Sequence, residues 1–221
     1  MFGLFKKSQL PQEEKEETWD DVKSFVYPIL VSDAYIVERT KQLQEMNHDT
    51  STDFDLVSMP YLDMQVLFVE HLEDHEKGMY AAQPIVRSTA KGWGLTEANQ
   101  LWDAAFENLW TMVEDKEIQI EVRDSVGSVV MRATESSMRP EYINAFLVNP
   151  GFLFAAFTEY APADAYLVIV ASRTEIIGFP ATDENRKLAQ EYSGTLDPSD
   201  WRNVVSKSMY YLTEKGIDIV R

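Results

Sequence analysis

Runs of apolar residues along the chain predict several β-strands. The run 166–171 is apolar throughout, which is typical of a central strand that is buried on both faces. Pro28 lies within another such run and lacks a backbone N–H, so it favours an edge position or a strand end. The predicted strands are residues 25–31, 64–70, 79–82, 117–123, 128–133, 166–171 and 175–179, with 64–70 and 79–82 forming a hairpin.

Helical spacing and capping residues predict five helices. The strongest pattern opens with Thr96, an N-cap residue, and continues with apolar residues three and four positions apart. We expect this stripe to face the core and its aromatic residue to pack there; it comprises Ala98, Leu101, Trp102, Ala105, Leu109 and Met112. The other predicted helices are residues 33–46, 137–148, 183–193 and 198–215, with a loop at 47–58 and an apolar turn at 150–157.

These elements together predict an α+β fold, with a mixed β-sheet of about five to six strands and helices packed on it. The 221 residues are 45% hydrophobic, which is enough to bury a substantial core. Residues 8–18 are polar and charged without an apolar period. We therefore predict a flexible acidic tail over residues 1–18 and a single domain over residues 19–221.

The composition is strongly acidic and contains no cysteine. Thirty-seven Asp and Glu residues against 20 Lys and Arg residues give a formal net charge of −17 at pH 7. This charge repels phosphate backbones, which argues against nucleic acid and anionic membranes as partners. It would attract a basic protein surface, but the simpler interpretation is that the charge keeps the protein soluble. No apolar stretch approaches the roughly 20 residues that span a bilayer. The absence of cysteine fits a reducing compartment, so a cytoplasmic location is predicted.

The first seven residues carry a short apolar run followed by two lysines. The apolar residues are Phe2, Leu4 and Phe5, and they precede Lys6 and Lys7. This order is wrong for a signal peptide, in which the basic residues come first. The run could touch a membrane or a partner, but seven residues bury too little surface for stable anchoring.

One cluster has the residue types of a metal site. His71, Asp74 and His75 follow a spacing close to the H-x-x-E-H arrangement of some zinc hydrolases, with aspartate in place of glutamate. In a helix the two histidines would share a face and could ligate one metal ion. The segment follows a predicted strand and precedes Gly78, so a charged turn with solvated side chains is the simpler interpretation. No nucleotide-binding glycine motif or serine-hydrolase motif occurs, and no cofactor is predicted.

Two arginines and one tryptophan are candidate ligand-binding residues. Arg173 follows the apolar run 166–171, where a guanidinium could receive a carboxylate or phosphate, and Arg87 is a weaker candidate of the same kind. Trp93 stands between two glycines and could serve as an exposed recognition residue. The alternatives are a salt bridge at a turn for each arginine and core packing for the tryptophan.

The segment Trp93-Gly94-Leu95-Thr96-Glu97, followed by Leu101, Ala105, Asn108 and Leu109, resembles the YtpQ-like family of uncharacterised bacterial proteins. Further matches lie at residues 25–30, 60–69 and 164–178. The family tends to have an Arg-Asp turn in the last of these, where this chain has Arg173-Thr174. The resemblance implies an α+β domain, without an established enzyme activity.

Three functional hypotheses remain from the sequence. The preferred one is a non-catalytic interaction module for a basic partner such as a toxin or enzyme, which it would bind or neutralise. The second is a metal-dependent, hydrolase-like enzyme that uses His71, Asp74 and His75. The third is a small-ligand module in which Arg173 faces a pocket. An apolar cavity beside that arginine would be the simplest structural evidence for it.

Overall fold

The protein is described by a computed structural model over residues 17–46, 55–74, 79–125, 127–170, 172–197, 199–200 and 204–220. Groups of helices and groups of strands follow one another along the chain, and two of the helical segments are 3₁₀ helices, Lys23–Phe25 and Pro140–Val148. The α-helices are α1 (Trp19–Val22), α2 (Asp33–Met46), α3 (Arg87–Gly92), α4 (Asn99–Glu114), α5 (Pro150–Tyr160) and α6 (Asp183–Thr195). The strands are β1 (Val26–Val31), β2 (Ser58–Tyr61), β3 (Met64–Asp74), β4 (Met79–Pro84), β5 (Ile120–Ser125), β6 (Ser128–Ala133), β7 (Tyr166–Ile169), β8 (Glu175–Pro180), β9 (Met209–Thr213) and β10 (Gly216–Ile219).

The first sheet is built around the long strand β3. Strand β1 pairs along one edge of β3, while β2 and β4 pair with successive parts of its other edge, all antiparallel. Pro28 therefore lies on an edge strand, as its missing N–H predicts. Residues 66–69 at the centre of β3 are completely buried, which accounts for their uninterrupted apolar sequence.

The second sheet has the strand order β10-β9-β7-β8-β6-β5, and its described pairings are all antiparallel. Strand β7 is central and fully buried, as its apolar run predicts. Its residues alternate between two layers: Tyr166 and Val168 join the main core, whereas Leu167 and Ile169 pack in a smaller cluster with Ala189 of α6. Helix α6 thus covers one face of this sheet, and the main core covers the other.

A single large hydrophobic cluster contains residues of both sheets and of the helices between them. The 3₁₀ helix Pro140–Val148 crosses this cluster and is tied to the first sheet by the completely buried Asn144. The Asn144 side chain accepts a hydrogen bond from the Leu30 N–H at 3.2 Å and donates one to the Leu30 carbonyl at 2.8 Å. Since β1 is an edge strand, Asn144 satisfies backbone groups that no neighbouring strand pairs.

The α+β class predicted from the sequence is confirmed, and helices pack on β-sheet as expected. Several element boundaries differ. The predicted helix 198–215 is wrong in its second half, because Met209–Thr213 and Gly216–Ile219 form a hairpin. Residues 150–157 belong to helix α5 and do not form an apolar turn, and β3 continues four residues beyond its predicted end.

Among the described residues, no helix combines the length and the apolar character that crossing a membrane requires.

Candidate functional site

A groove of about 240 Å³ lies between α4 and the segment formed by the 3₁₀ helix Pro140–Val148 and the start of α5. We call it the aromatic groove. It is lined by Trp102, Phe106, Leu109, Trp110, Ala145, Phe146, Val148, Asn149 and Pro150. A concave, largely apolar surface with few polar groups is a common form of binding site.

Helix α4 forms one wall of the aromatic groove because it carries two adjacent apolar stripes. The first stripe is buried in the core and consists of Leu101, Ala105, Leu109 and Met112. The second consists of Trp102, Phe106 and Trp110, which recur every four residues, lie about 100° further round the helix and are only half-buried. The ring centroids of Trp102 and Phe106 are 4.5 Å apart, and those of Trp110 and Phe146 are 5.2 Å apart.

Three exposed carboxylates border this aromatic stripe. Asp103 and Glu107 each lie three residues before Phe106 and Trp110 respectively, and Glu114 lies four residues after Trp110. Residues three or four apart are neighbours on a helix surface, so each carboxylate lies beside an aromatic ring of the stripe. Helix α4 contains no Lys, Arg or His. The wall of the aromatic groove is therefore aromatic at its centre and acidic along one side.

A basic group of the neighbouring 3₁₀ helix lies close enough to interact with Glu107. The Lys23 ammonium forms an ion pair with Asp20 at 2.8 Å, and both side chains are exposed. Asp20 raises the pKa of Lys23, and Glu107 adds a smaller contribution in the same direction. Lys23 is thus already engaged with a carboxylate of its own segment.

His71, the first residue of the predicted metal cluster, is a core residue. The residue is 8% exposed, and its Nε2 atom is hydrogen-bonded to the Tyr142 hydroxyl. The Tyr27 ring lies 4.1 Å from the imidazole, centroid to centroid. Burial, together with the charge of Arg139, lowers the pKa of His71 to about 3. The expectation that this side chain is solvated in a turn is therefore wrong.

The structure says less about the other two residues of the predicted metal cluster, Asp74 and His75. Asp74 is the last residue of β3, where its backbone pairs with Met79, and His75 lies outside the described residues. Within the part of the chain that the structure describes, no group of three or more His, Cys, Asp or Glu residues is placed to hold a metal ion. The metal-dependent hydrolase hypothesis remains a prediction.

The other candidate residues have different surroundings in the described part of the fold. The Arg173 guanidinium stacks over the Tyr35 ring, 4.4 Å from its centroid, and Arg173 lines neither the aromatic groove nor a smaller cavity of about 50 Å³ beside α3. Arg87 lines that smaller cavity. Trp93 is 9% exposed and packs against Trp19, so it contributes to the core.

A polar cluster that the sequence did not indicate joins the two sheets. Asp63, in the β2–β3 turn, accepts hydrogen bonds from the hydroxyls of Tyr210 at 2.5 Å, Ser208 at 2.6 Å and Ser206 at 3.1 Å. Burial raises the pKa of Tyr210, so its hydroxyl stays protonated and donates. No described member of the cluster is a histidine or lysine that could act as a general base for serine, which indicates a structural role.

We expect Asp63→Ala to lower the free energy of unfolding by about 1 to 2 kcal/mol, because three hydroxyls lose a charged acceptor. Urea denaturation followed by circular dichroism measures this loss. Asp164→Ala is the matched control, since Asp164 is an exposed carboxylate and its removal is expected to change stability by less than about 0.5 kcal/mol. Equal losses in the two variants would contradict the structural role of Asp63.

No protein-family model matches the chain, and comparison with curated proteins and with solved structures finds no similar protein. The resemblance to the YtpQ-like family therefore stays a prediction. The aromatic groove and its carboxylates are the features of the described residues that bear most directly on function.

Proposed function

We propose that this protein is a non-catalytic interaction module that binds a basic protein partner through the aromatic groove. The observation that supports the proposal most directly is the stripe of Trp102, Phe106 and Trp110, half-buried beside the exposed carboxylates Asp103 and Glu107. Such a surface offers apolar contact and negative charge at the same place.

The aromatic part of the groove suits the energetics of protein association. Tryptophan is prominent among the residues that dominate binding energy at interfaces, usually within a well-packed centre surrounded by polar residues. The centroid of Trp110 lies 5.2 Å from that of Phe146 and 5.0 Å from that of Phe152, so its ring is held in place before a partner arrives. A side chain that is already ordered loses little conformational entropy on binding.

The acidic part of the groove suits a partner of opposite charge. A net charge of −17 attracts a basic protein over distances of about the Debye length, roughly 8 to 10 Å at physiological salt. The carboxylates beside the aromatic stripe then orient the partner so that its apolar side chains meet the groove. Charge complementarity of this kind mainly increases the association rate and the specificity.

Affinity capture with groove variants tests the proposal. The protein is used to capture partners from lysate, and the identified partner is purified for titration at about 50 mM and about 300 mM salt. Asp103→Lys with Glu114→Lys is expected to weaken binding at least tenfold, about 1.4 kcal/mol, because the side chains beside the groove would then repel a basic partner. Trp110→Ala is expected to weaken binding to a similar degree, with its folding checked by thermal denaturation.

The matched control is Glu184→Lys with Glu191→Lys on α6, which makes the same change in net charge on the far face of the second sheet. This variant is expected to keep most of its affinity. A partner that is not basic, binding that survives the groove substitutions, or equal losses in the two charge variants would each refute the proposal.

A further inference from the structure

We propose that residues 1–7 of this chain bind the aromatic groove and compete with the basic partner for it. The docking itself stands independently, while the competition rests on the proposed function. The segment has the chemistry that the groove would select, since Phe2, Leu4 and Phe5 are apolar and are followed directly by Lys6 and Lys7. The segment lies outside the described residues. That it binds in the groove is inferred from its sequence and from the geometry of the groove.

The apolar residues of the segment match the centre of the groove. The cavity of about 240 Å³ is large enough for one or two aromatic side chains, and apart from Asn149 its lining residues are apolar. Rings of Phe2 or Phe5 would meet Trp102, Phe106 and Trp110 in the offset or edge-to-face arrangements that aromatic side chains prefer. Free in water, the same residues would leave a compact apolar run exposed.

The lysines of the segment match the acidic side of the groove. Asp103, Glu107 and Glu114 are exposed, and α4 supplies no basic residue to neutralise them. A segment that places its apolar residues in the groove would carry Lys6 and Lys7 to these carboxylates. Each exposed pair contributes little alone, and the two lysines together favour one orientation of the segment.

The chain enters the described fold near Glu70 of β3, where burial and then the charge of Glu17 raise the pKa of Glu70, and the elements that follow contact α4. The side chain of Asn108, on α4, donates hydrogen bonds to the carbonyls of Lys23 at 2.7 Å and Val26 at 2.8 Å, so the first described elements are fixed to this helix. The nine residues 8–16 can span about 30 Å when extended. Asn108 lies on the side of α4 away from Phe106, and the helix is about 10 Å across, so a linker of this length can pass round it to the groove.

Because residues 1–7 are covalently linked to the domain, a weak interaction with the groove is sufficient for docking. A short linker gives a tethered ligand an effective concentration in the millimolar range, so docking needs only a modest intrinsic affinity. A basic partner would have to displace the segment, which lowers its apparent affinity in proportion to the occupied fraction. The segment would then tune the threshold at which the partner binds.

A spin-label experiment on the full chain tests the docking. The protein contains no cysteine, so Gly3→Cys creates a unique site for a nitroxide label. The indole N–H signals of Trp102 and Trp110 are expected to lose most of their intensity in the labelled protein and to recover when the label is reduced. Asp103→Lys with Glu114→Lys, or Phe2→Ser with Leu4→Ser and Phe5→Ser, should restore the signals, whereas Glu184→Lys with Glu191→Lys should not.

Unchanged indole signals in the labelled wild-type protein would overturn the docking. Signals that stay broadened in both the groove variant and the segment variant would also overturn it, because the label would then lie near the helix for another reason. This measurement involves no partner, so its result is independent of whether the proposed function holds.

The competition is tested separately with the partner identified by capture. The variant Phe2→Ser with Leu4→Ser and Phe5→Ser is expected to bind that partner about threefold more tightly, because the groove is no longer occupied by the segment. Confirmed docking with unchanged partner affinity would refute the competition and leave the docking in place.

Discussion

Gly178→Ala is expected to lower the free energy of unfolding by about 3 kcal/mol, a large fraction of the stability of an ordinary domain. Gly178 lies in β8 between Val168 and Val129 of the neighbouring strands, and the Phe157 ring of α5 packs directly on it. A methyl group at this position would come closer than 3.0 Å to two ring carbons of Phe157. That ring is completely buried, so it can move only by displacing other core residues.

Urea denaturation of the wild type and two variants tests this expectation. Gly194→Ala is the matched control, because a methyl group at this position in α6 meets no heavy atom within 4 Å. There the substitution is expected to stabilise the helix by about 0.5 to 1 kcal/mol. The same substitution should thus have opposite signs at the two sites.

A double variant identifies the contact responsible. Phe157→Leu removes part of the ring that fills the space above Gly178, so adding Gly178→Ala to that background is expected to cost less than about 1 kcal/mol. An undiminished cost in the Phe157→Leu background would show that the contact between Gly178 and Phe157 is not the reason for the loss.

Lowering the pH from 7 to 4.5 is expected to reduce the free energy of unfolding by about 2 to 3 kcal/mol through the titration of His71. Burial and Arg139 lower the pKa of His71 from 6.5 to about 3 in the folded protein. The unfolded chain therefore binds this proton more readily than the folded protein. The contribution of His71 is fully present above pH 6.5 and is lost as the pH falls from 6.5 towards 3.

The difference between the wild type and His71→Gln, measured by urea denaturation at several pH values, isolates this effect from carboxylates that both proteins share. The variant is expected to lack the wild-type fall in stability attributable to His71. Tyr142→Phe is the comparison that keeps the imidazole and removes its hydrogen-bond partner. The free energy of unfolding of Tyr142→Phe should be about 1 to 2 kcal/mol lower than that of the wild type at pH 7. It should still decrease between pH 6.5 and pH 4.5 as in the wild type. An identical pH dependence in the wild type and His71→Gln would contradict the assignment.

The candidate site was only partly predictable from the sequence. The spacing of Leu101, Ala105 and Leu109 correctly predicted the buried face of α4. Trp102 was assigned to that same face, although it belongs to the adjacent half-buried stripe with Phe106 and Trp110. The four-residue spacing of these rings was a signal that could have been used. It could not show whether a neighbouring element covers them.

His71 illustrates the same limit for a titratable residue. Its sequence neighbours are charged, which predicted a solvated turn. The ring is buried because Tyr142, 71 positions later, and Tyr27, from the paired strand β1, pack around it. The residues next to His71 in the sequence do not indicate which distant residues pack against it.

The sequence by itself determined the elements with a clear local pattern. The apolar run that became β7 and the helical spacing of α4 are examples, because backbone geometry places their apolar residues on definite faces whatever the rest of the chain does. Only the tertiary structure decided how the strands divide into two sheets, and that residues 209–219 form a hairpin. It also left one aromatic stripe of α4 half-open beside its carboxylates. Each of these outcomes depends on which distant segment covers a given apolar face. The hydrophobic effect favours burying that face but is non-directional, so it does not determine which segment buries it.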